Sequence, residues 1–195
     1  YNERKKEKKV TISKQDIATS KELPGAKLVL SDAKGNPIEE WTSTSEAHVI
    51  DDINAGTYTL TEIQAQEEYV LSEEKITFTI DANGKLTDKD GKEIDKVVMF
   101  NKRIPKTDVS ISKQDITTSK ELPGAKLVVK DANGTPVDEW TSSNESHIIK
   151  GLTEGTYTLS ETQAPDNYIL KTETITFKID KDGKLLNAEG KAIDK

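Results

Sequence analysis

The chain has 195 residues, room for one large domain or two of ordinary size, and a net charge of −7 that argues against nucleic acid and anionic membrane surfaces as partners. It contains no cysteine, which excludes disulfides and thiolate metal sites. Hydrophobic residues make up 33% and charged residues 32%, but the apolar ones are patterned, which speaks against disorder; no apolar run approaches membrane-spanning length and no signal peptide is visible.

In chain order, Glu3–Lys9 (ERKKEKK) is a charge run and reads as a solvated linker. Val10–Asp16 (VTISKQD) alternates as a strand does, with Val10, Ile12 and Lys14 on one face. Leu23-Pro24-Gly25 is a turn signal before the alternating segment Ala26–Leu30. Lys34-Gly35-Asn36-Pro37 marks another turn, and His48–Ile50 is a short strand candidate. Tyr58–Glu62 and Ile76–Ile80 alternate again; Asn83-Gly84 and Asp90-Gly91 are hairpin signals; Val97–Phe100 reads as a buried run. Ser20–Leu23 makes one helical turn at most, and no other helix is expected. Arg103–Asp108 (RIPKTD) is a short linker stiffened by Pro105.

The pattern then starts over. Lys14 returns as Lys113, Trp41 as Trp140, His48 as His147, Glu62 as Glu161 and Phe78 as Phe177, always 99 positions later. More than half of the paired positions are identical. That period is too long for a solenoid repeat, so a whole domain is duplicated. The expected fold is all-β: two tandem antiparallel β-sandwiches with Greek-key, Ig-like topology. Residues 10–102 form the first and 109–195 the second, and 1–9 are the end of a preceding repeat plus a linker. The second sandwich is expected to lack its last strand, because position 200, the counterpart of Asn101, lies beyond Lys195. Tyr1-Asn2 matches Phe100-Asn101 at the same offset, which makes Asn2 the acceptor of a preceding repeat and implies a parent with more copies.

Three polar side chains fall on apolar strand faces. Lys14 shares a face with Val10 and Ile12, Glu62 with Tyr58 and Leu60, and Asn101 with Val97 and Met99. A buried Lys–Glu ion pair beside an amide is one reading. The other is covalent: a desolvated lysine loses its proton and attacks the Asn101 side-chain carbonyl, Glu62 shuttles protons, and ammonia leaves.

These residues lie in segments that resemble the CnaB-type (SpaA-like, prealbumin-like) domains of Gram-positive surface adhesins and pilins. The segments are the early strand with Lys14, Leu23-Pro24-Gly25-Ala26, Gly56–Glu62 (GTYTLTE) and the terminal Phe100-Asn101. In the second copy, Glu161-Thr162-Gln163-Ala164-Pro165 continuing to Tyr168 is close to the family's E-x-x-A-P-x-x-Y pattern; the first copy has Gln66 in place of the proline. The resemblance implies a spontaneous isopeptide bond between Lys14 and Asn101 assisted by Glu62. In the second copy Lys113 and Glu161 have no acceptor within the chain. That pair stays unreacted unless a strand donated by another chain brings one.

Other candidates read as structural. His48 and His147 are packed or surface histidines rather than a shared metal site. Trp41 and Trp140 fit a core or sheet edge better than a ligand platform. Asp81–Gly84 and Asp180–Gly183 lack EF-hand spacing and read as hairpin turns. No cofactor or metal is expected, and catalytic turnover is disfavoured because no exposed nucleophile–base set appears. The expectation is therefore a structural stalk repeat of an extracellular, cell-wall-anchored adhesin or pilus protein, with neighbouring repeats as partners. The alternative is a module that binds a host extracellular protein.

Overall fold

The computed structural model describes residues 8–193. The chain divides into two compact units, with the division between Arg103 and Ile104. No helix occurs among the described residues; at Ser20 the backbone turns left-handed, with φ of 55°, instead of starting one.

Unit 1 contains eight strands: β1 (Val10–Asp16), β2 (Lys27–Asp32), β3 (Pro37–Thr42), β4 (His48–Ile50), β5 (Gly56–Gln64), β6 (Ile76–Ile80), β7 (Leu86–Asp88) and β8 (Val97–Asn101). They form two sheets, one in the order β3-β2-β5-β6-β7 and one in the order β4-β1-β8. Alternation decides which side chains face inward. Leu28 and Leu30, Tyr58 and Leu60, Phe78 and Ile80, Val10 and Ile12, and Val97 and Met99 meet in a single core. Tyr58 lies opposite Phe78 in the β5–β6 register, and their rings stack with centroids 5.7 Å apart. Every pairing is antiparallel except one: β1 and β8 run parallel, with Ile12 opposite Val97, Lys14 opposite Met99 and Asp16 opposite Asn101.

Unit 2 repeats this plan with β9 (Thr107–Ile111), β10 (Lys126–Lys130), β11 (Pro136–Thr141), β12 (His147–Leu152), β13 (Gly155–Gln163), β14 (Ile175–Ile179) and β15 (Leu185–Asn187). The large sheet, β11-β10-β13-β14-β15, has the same order as in unit 1. The small sheet is reduced to β12-β9, and no counterpart of β8 exists among the described residues. This corrects the expectation for Val109–Asp115. The strand begins earlier, at Thr107 within the stretch read as linker, and ends at Ile111, so Ser112–Asp115 lie outside it. In unit 1 the matching residues, Ser13–Asp16, ladder with β8, besides one bridge from Gln15 to Glu22; without that strand the unit 2 segment keeps, among the described residues, only the equivalent bridge from Gln114 to Glu121.

Two local devices recur. Ser43 and Ser142 each close the gap between the LPG turn and the following strand. Ser43 Oγ accepts from Ala26 N at 2.9 Å and donates to Leu23 O at 2.6 Å; Ser142 Oγ does the same with Ala125 N (2.9 Å) and Leu122 O (2.7 Å). The Asp-initiated turns cap themselves. Asp81 Oδ1 accepts from the amides of Asn83 and Lys85, both at 2.8 Å, and Asp180 does so from Asp182 and Lys184. Those carboxylates serve their own hairpins, as the turn reading expects. Replacing Ser142 by alanine leaves a buried donor and a carbonyl unpaired. We expect it to destabilise unit 2 by about 1–3 kcal/mol, seen as faster amide exchange in β10 and β11 with unit 1 unchanged.

Candidate functional site

The parallel pairing of β1 and β8 puts Lys14 and Asn101 on the same inward face, and β5 brings Glu62 across from the opposing sheet. The regular β2–β5 register, with Leu30 opposite Leu60 and Leu28 opposite Glu62, keeps the glutamate on the core face rather than toward solvent. Lys14 is 1% exposed and is among the largest fully buried side chains of the described residues. Its Nζ donates to Asn101 Oδ1 and lies 3.3 Å from Glu62 Oε1. Asn101 Nδ2 in turn donates to both Glu62 oxygens, at 2.9 and 3.0 Å, and to Val70 O at 3.0 Å. The three side chains picked out by alternation are thus in mutual contact.

Burial pushes the Lys14 ammonium below the usual lysine range; the negative charge and hydrogen bond of Glu62, and the charge of Glu74, oppose that shift without cancelling it. The environment therefore favours release of the lysine proton. The amide is oriented with its oxygen on the amine and its nitrogen on the carboxylate. Such an arrangement allows Nζ to approach the carbonyl carbon while Glu62 stands at the amide nitrogen.

The loop between β5 and β6 covers this cluster, and its contributions were not legible as candidate residues. Ser72 N donates to Glu62 Oε2 at 2.6 Å, and Val70 N donates to Lys102 O at 2.9 Å. Asp16 also belongs to the site's wall. It is buried, sits two residues beyond Lys14 on the same face, and accepts from Tyr69 Oη at 2.6 Å and Arg103 Nε at 3.4 Å. The Tyr69 bond, with the amides of Ala18 and Thr19 and with Arg103, holds the Asp16 carboxyl at about 2, against the opposing effect of burial. The Arg103 guanidinium lies 5.0 Å over the Tyr69 ring. A signal for both residues existed: Asp16 extends the alternation of Val10, Ile12 and Lys14, and Tyr69 returns as Tyr168. The backbone groups of Val70 and Ser72 carry no side-chain signal at all.

In unit 2, Lys113 Nζ lies 3.1 Å from Glu161 Oε1, and Lys171 N donates to Glu161 Oε2 at 2.8 Å. The Lys113 side chain is 21% exposed. A cavity of about 260 Å³ opens beside the pair, lined also by Ile111, Leu127, Leu159 and Ile175. Ile12, Leu28 and Leu60, the counterparts of Ile111, Leu127 and Leu159, belong to the unit 1 core that Val97 and Met99 of β8 complete. Asn2 lies outside the described residues.

The remaining candidates have structural surroundings. His48 stacks on Trp41, with ring centroids 4.4 Å apart, and its Nε2 lies 2.7 Å from Glu39 Oε1. His147 stacks on Trp140 at 4.2 Å and bonds Asp138 at 2.9 Å. Each tryptophan also packs against its own core. No cluster of metal-ligating side chains occurs among the described residues.

A family model described as SpaA, prealbumin-like fold domain, matches residues 8–93 and again 107–192. Among solved structures, the chain is similar to the open conformation of the pilus adhesin SpaC from Lactobacillus rhamnosus GG. The identity is 20% and the TM-score 0.52, over 95% of this chain and 28% of that one. The C-terminal fragment of the same adhesin gives 20% and 0.52, over 97% and 88% of the two chains. The Bacillus anthracis TIE protein is 26% identical over 91% of this chain and 32% of its own, with a TM-score of 0.48. The chain thus spans less than a third of the TIE protein and of the open SpaC chain. No curated protein sequence matches it. With both units matched along nearly their whole length, the chain belongs to the SpaA family of prealbumin-like fold domains, as two copies in tandem.

Proposed function

We propose that the chain is a stalk segment of an extracellular surface adhesin or pilus protein, and that unit 1 is locked by an isopeptide bond between Lys14 and Asn101. The observation that carries this reading is the contact of a fully buried lysine amine with the Asn101 amide, whose nitrogen rests on Glu62. A proton passes from Lys14 to Glu62, which leaves two neutral groups in the core. Nζ then forms a bond to Cγ of Asn101, and the carbonyl electrons move onto Oδ1. Glu62 delivers a proton to Nδ2 and recovers one from Nζ. The carbonyl re-forms, the Cγ–Nδ2 bond breaks and ammonia departs. Glu62 ends protonated, keeping the net proton it first took from Lys14, and the reaction is a single intramolecular turnover. The buried charge gives way to a neutral amide.

The bond closes a loop from residue 14 to residue 101. By the chain-entropy argument used for disulfides, a loop of that length is worth about 4–5 kcal/mol, and reduction does not undo it. That suits a structural element outside the cell. The similar structures above include a pilus adhesin, which supports a surface location and neighbouring repeats or pilus subunits as partners. Trp41 and Trp140 are each covered on one ring face by histidine, which favours the stalk reading over host-protein capture.

Intact mass tests the bond. We expect the chain to lack the mass of one ammonia. Lys14→Ala and Asn101→Ala restore the full mass, and Glu62→Ala slows the loss by at least about a hundredfold, the range general acid–base catalysis supplies. A wild-type mass equal to the sequence mass sinks the reading. Lys113 is expected to retain its amine: an amine-directed acylating ester should modify Lys113 and leave Lys14 untouched, as read by peptide mapping.

A further inference from the structure

The lysine, glutamate and asparagine do not hold themselves in place. Two of the contacts that orient them come from one short piece of the β5–β6 loop. Val70 O receives the Asn101 amide, and Ser72 N grips Glu62 Oε2. That piece is moored immediately upstream, at Tyr69. Glu68 takes a left-handed backbone, φ of 69°, and Tyr69 is buried with its hydroxyl on Asp16 Oδ2. Asp16 is itself fixed: its other oxygen accepts from the amides of Ala18 (2.7 Å) and Thr19 (3.1 Å), and its residue stands opposite Asn101 in the β1–β8 register. The mooring therefore joins the loop to the same strand that carries Lys14.

Unit 2 shows which contacts need the last strand and which do not. With no counterpart of β8 among the described residues, Tyr168 Oη still donates to Asp115 Oδ2 at 2.6 Å, and Lys171 N still donates to Glu161 Oε2 at 2.8 Å. Asn167 repeats the left-handed turn with φ of 67°. These contacts persist although Tyr168 is 46% exposed, against 6% for Tyr69. The mooring and the grip on the glutamate thus stand without β8 and without deep burial.

We propose that Tyr69 and Asp16 are positioning residues for the Lys14–Asn101 cross-link: their hydrogen bond moors the 69–72 segment so that Glu62 is already aligned when β8 docks and delivers Asn101. The role in the reaction rests on the isopeptide reading above; the mooring of the glutamate does not. The hydrogen bond lowers the pKa of the aspartate and raises that of the tyrosine in both units, as expected of a phenol donating to a carboxylate. Tyr69 touches none of the reacting atoms and acts through the loop backbone.

The test uses the full chain with Tyr69→Phe and Tyr168→Phe, each of which removes a hydroxyl and keeps the ring. Amide NMR reads the grip directly. We expect the Ser72 amide to shift and to exchange roughly tenfold faster in Tyr69→Phe, and the Lys171 amide to do so in Tyr168→Phe, each only in its own unit. Time-resolved intact mass after cell-free synthesis reads the reaction. We expect Tyr69→Phe to slow ammonia loss roughly tenfold, a barrier change of about 1.4 kcal/mol, and Tyr168→Phe to leave it unchanged. Tyr58→Phe is the structural control, because it deletes a tyrosine hydrogen bond, to Asn54 O, outside the site. Equal slowing by Tyr58→Phe, or unaltered Ser72 and Lys171 amides in the two mooring variants, overturns the proposal. A wild-type chain of full mass overturns the cross-link, and with it the reactive role of the mooring, while the amides still decide whether Tyr69 and Tyr168 hold the glutamates.

Discussion

The structure of unit 1 turns on the burial of one amine. Taking an ammonium out of water is costly, and the core around Lys14 is otherwise built of Ile12, Leu28, Leu60 and Met99. The fold meets this cost by surrounding the amine with a carboxylate and an amide, each contributed by a different strand. Those strands belong to two sheets, so the requirement reaches well beyond the site. β1 must lie beside β8, β5 must face them, and the β5–β6 loop must close over the top. Unit 2 illustrates the dependence. Without a β8 counterpart among the described residues, Lys113 leaves the strand and becomes partly exposed, although its large sheet keeps the same strand order.

Much of this was legible because strand alternation is a strict rule. Lys14, Glu62 and Asn101 stood out as polar residues on apolar faces, and the three are in contact. What alternation does not carry is strand direction, so the parallel course of β1 and β8 inside an otherwise antiparallel sandwich had no signature in the sequence. Nor does it carry tertiary context. Ile12–Asp16 and Ile111–Asp115 are the same five residues, ISKQD, yet only the first set is strand throughout. Their difference lies in the neighbouring strand, which a local pattern cannot register. Asp16 lay within the alternation but reads locally as a turn-forming residue, a role it also fills through the amides of Ala18 and Thr19. The contacts from Val70 and Ser72 are made by backbone atoms, for which any residue type serves.

The two copies also separate what a side-chain set is from what it does. Lys113 and Glu161 have the residue types and the spacing of Lys14 and Glu62, and they form an ion pair. In that form they are an ion pair at the wall of an open cavity, with no asparagine side chain placed against them among the described residues. Family membership fixes the fold of both units. The surroundings of the lysine belong to each unit separately, through the strand that lies on its small sheet.

The parallel course of β1 and β8 has a further consequence. The chain enters β1 at Val10 and leaves β8 at Asn101, and the two strands point the same way. In the unit before any cross-link, pulling the ends apart therefore slides one strand along the other, and the five registered pairs from Ile12–Val97 to Asp16–Asn101 share the load. An antiparallel pair joined by a hairpin and pulled at its open end would instead peel, with its hydrogen bonds breaking one after another. Strand direction alone thus sets unit 1 in shear.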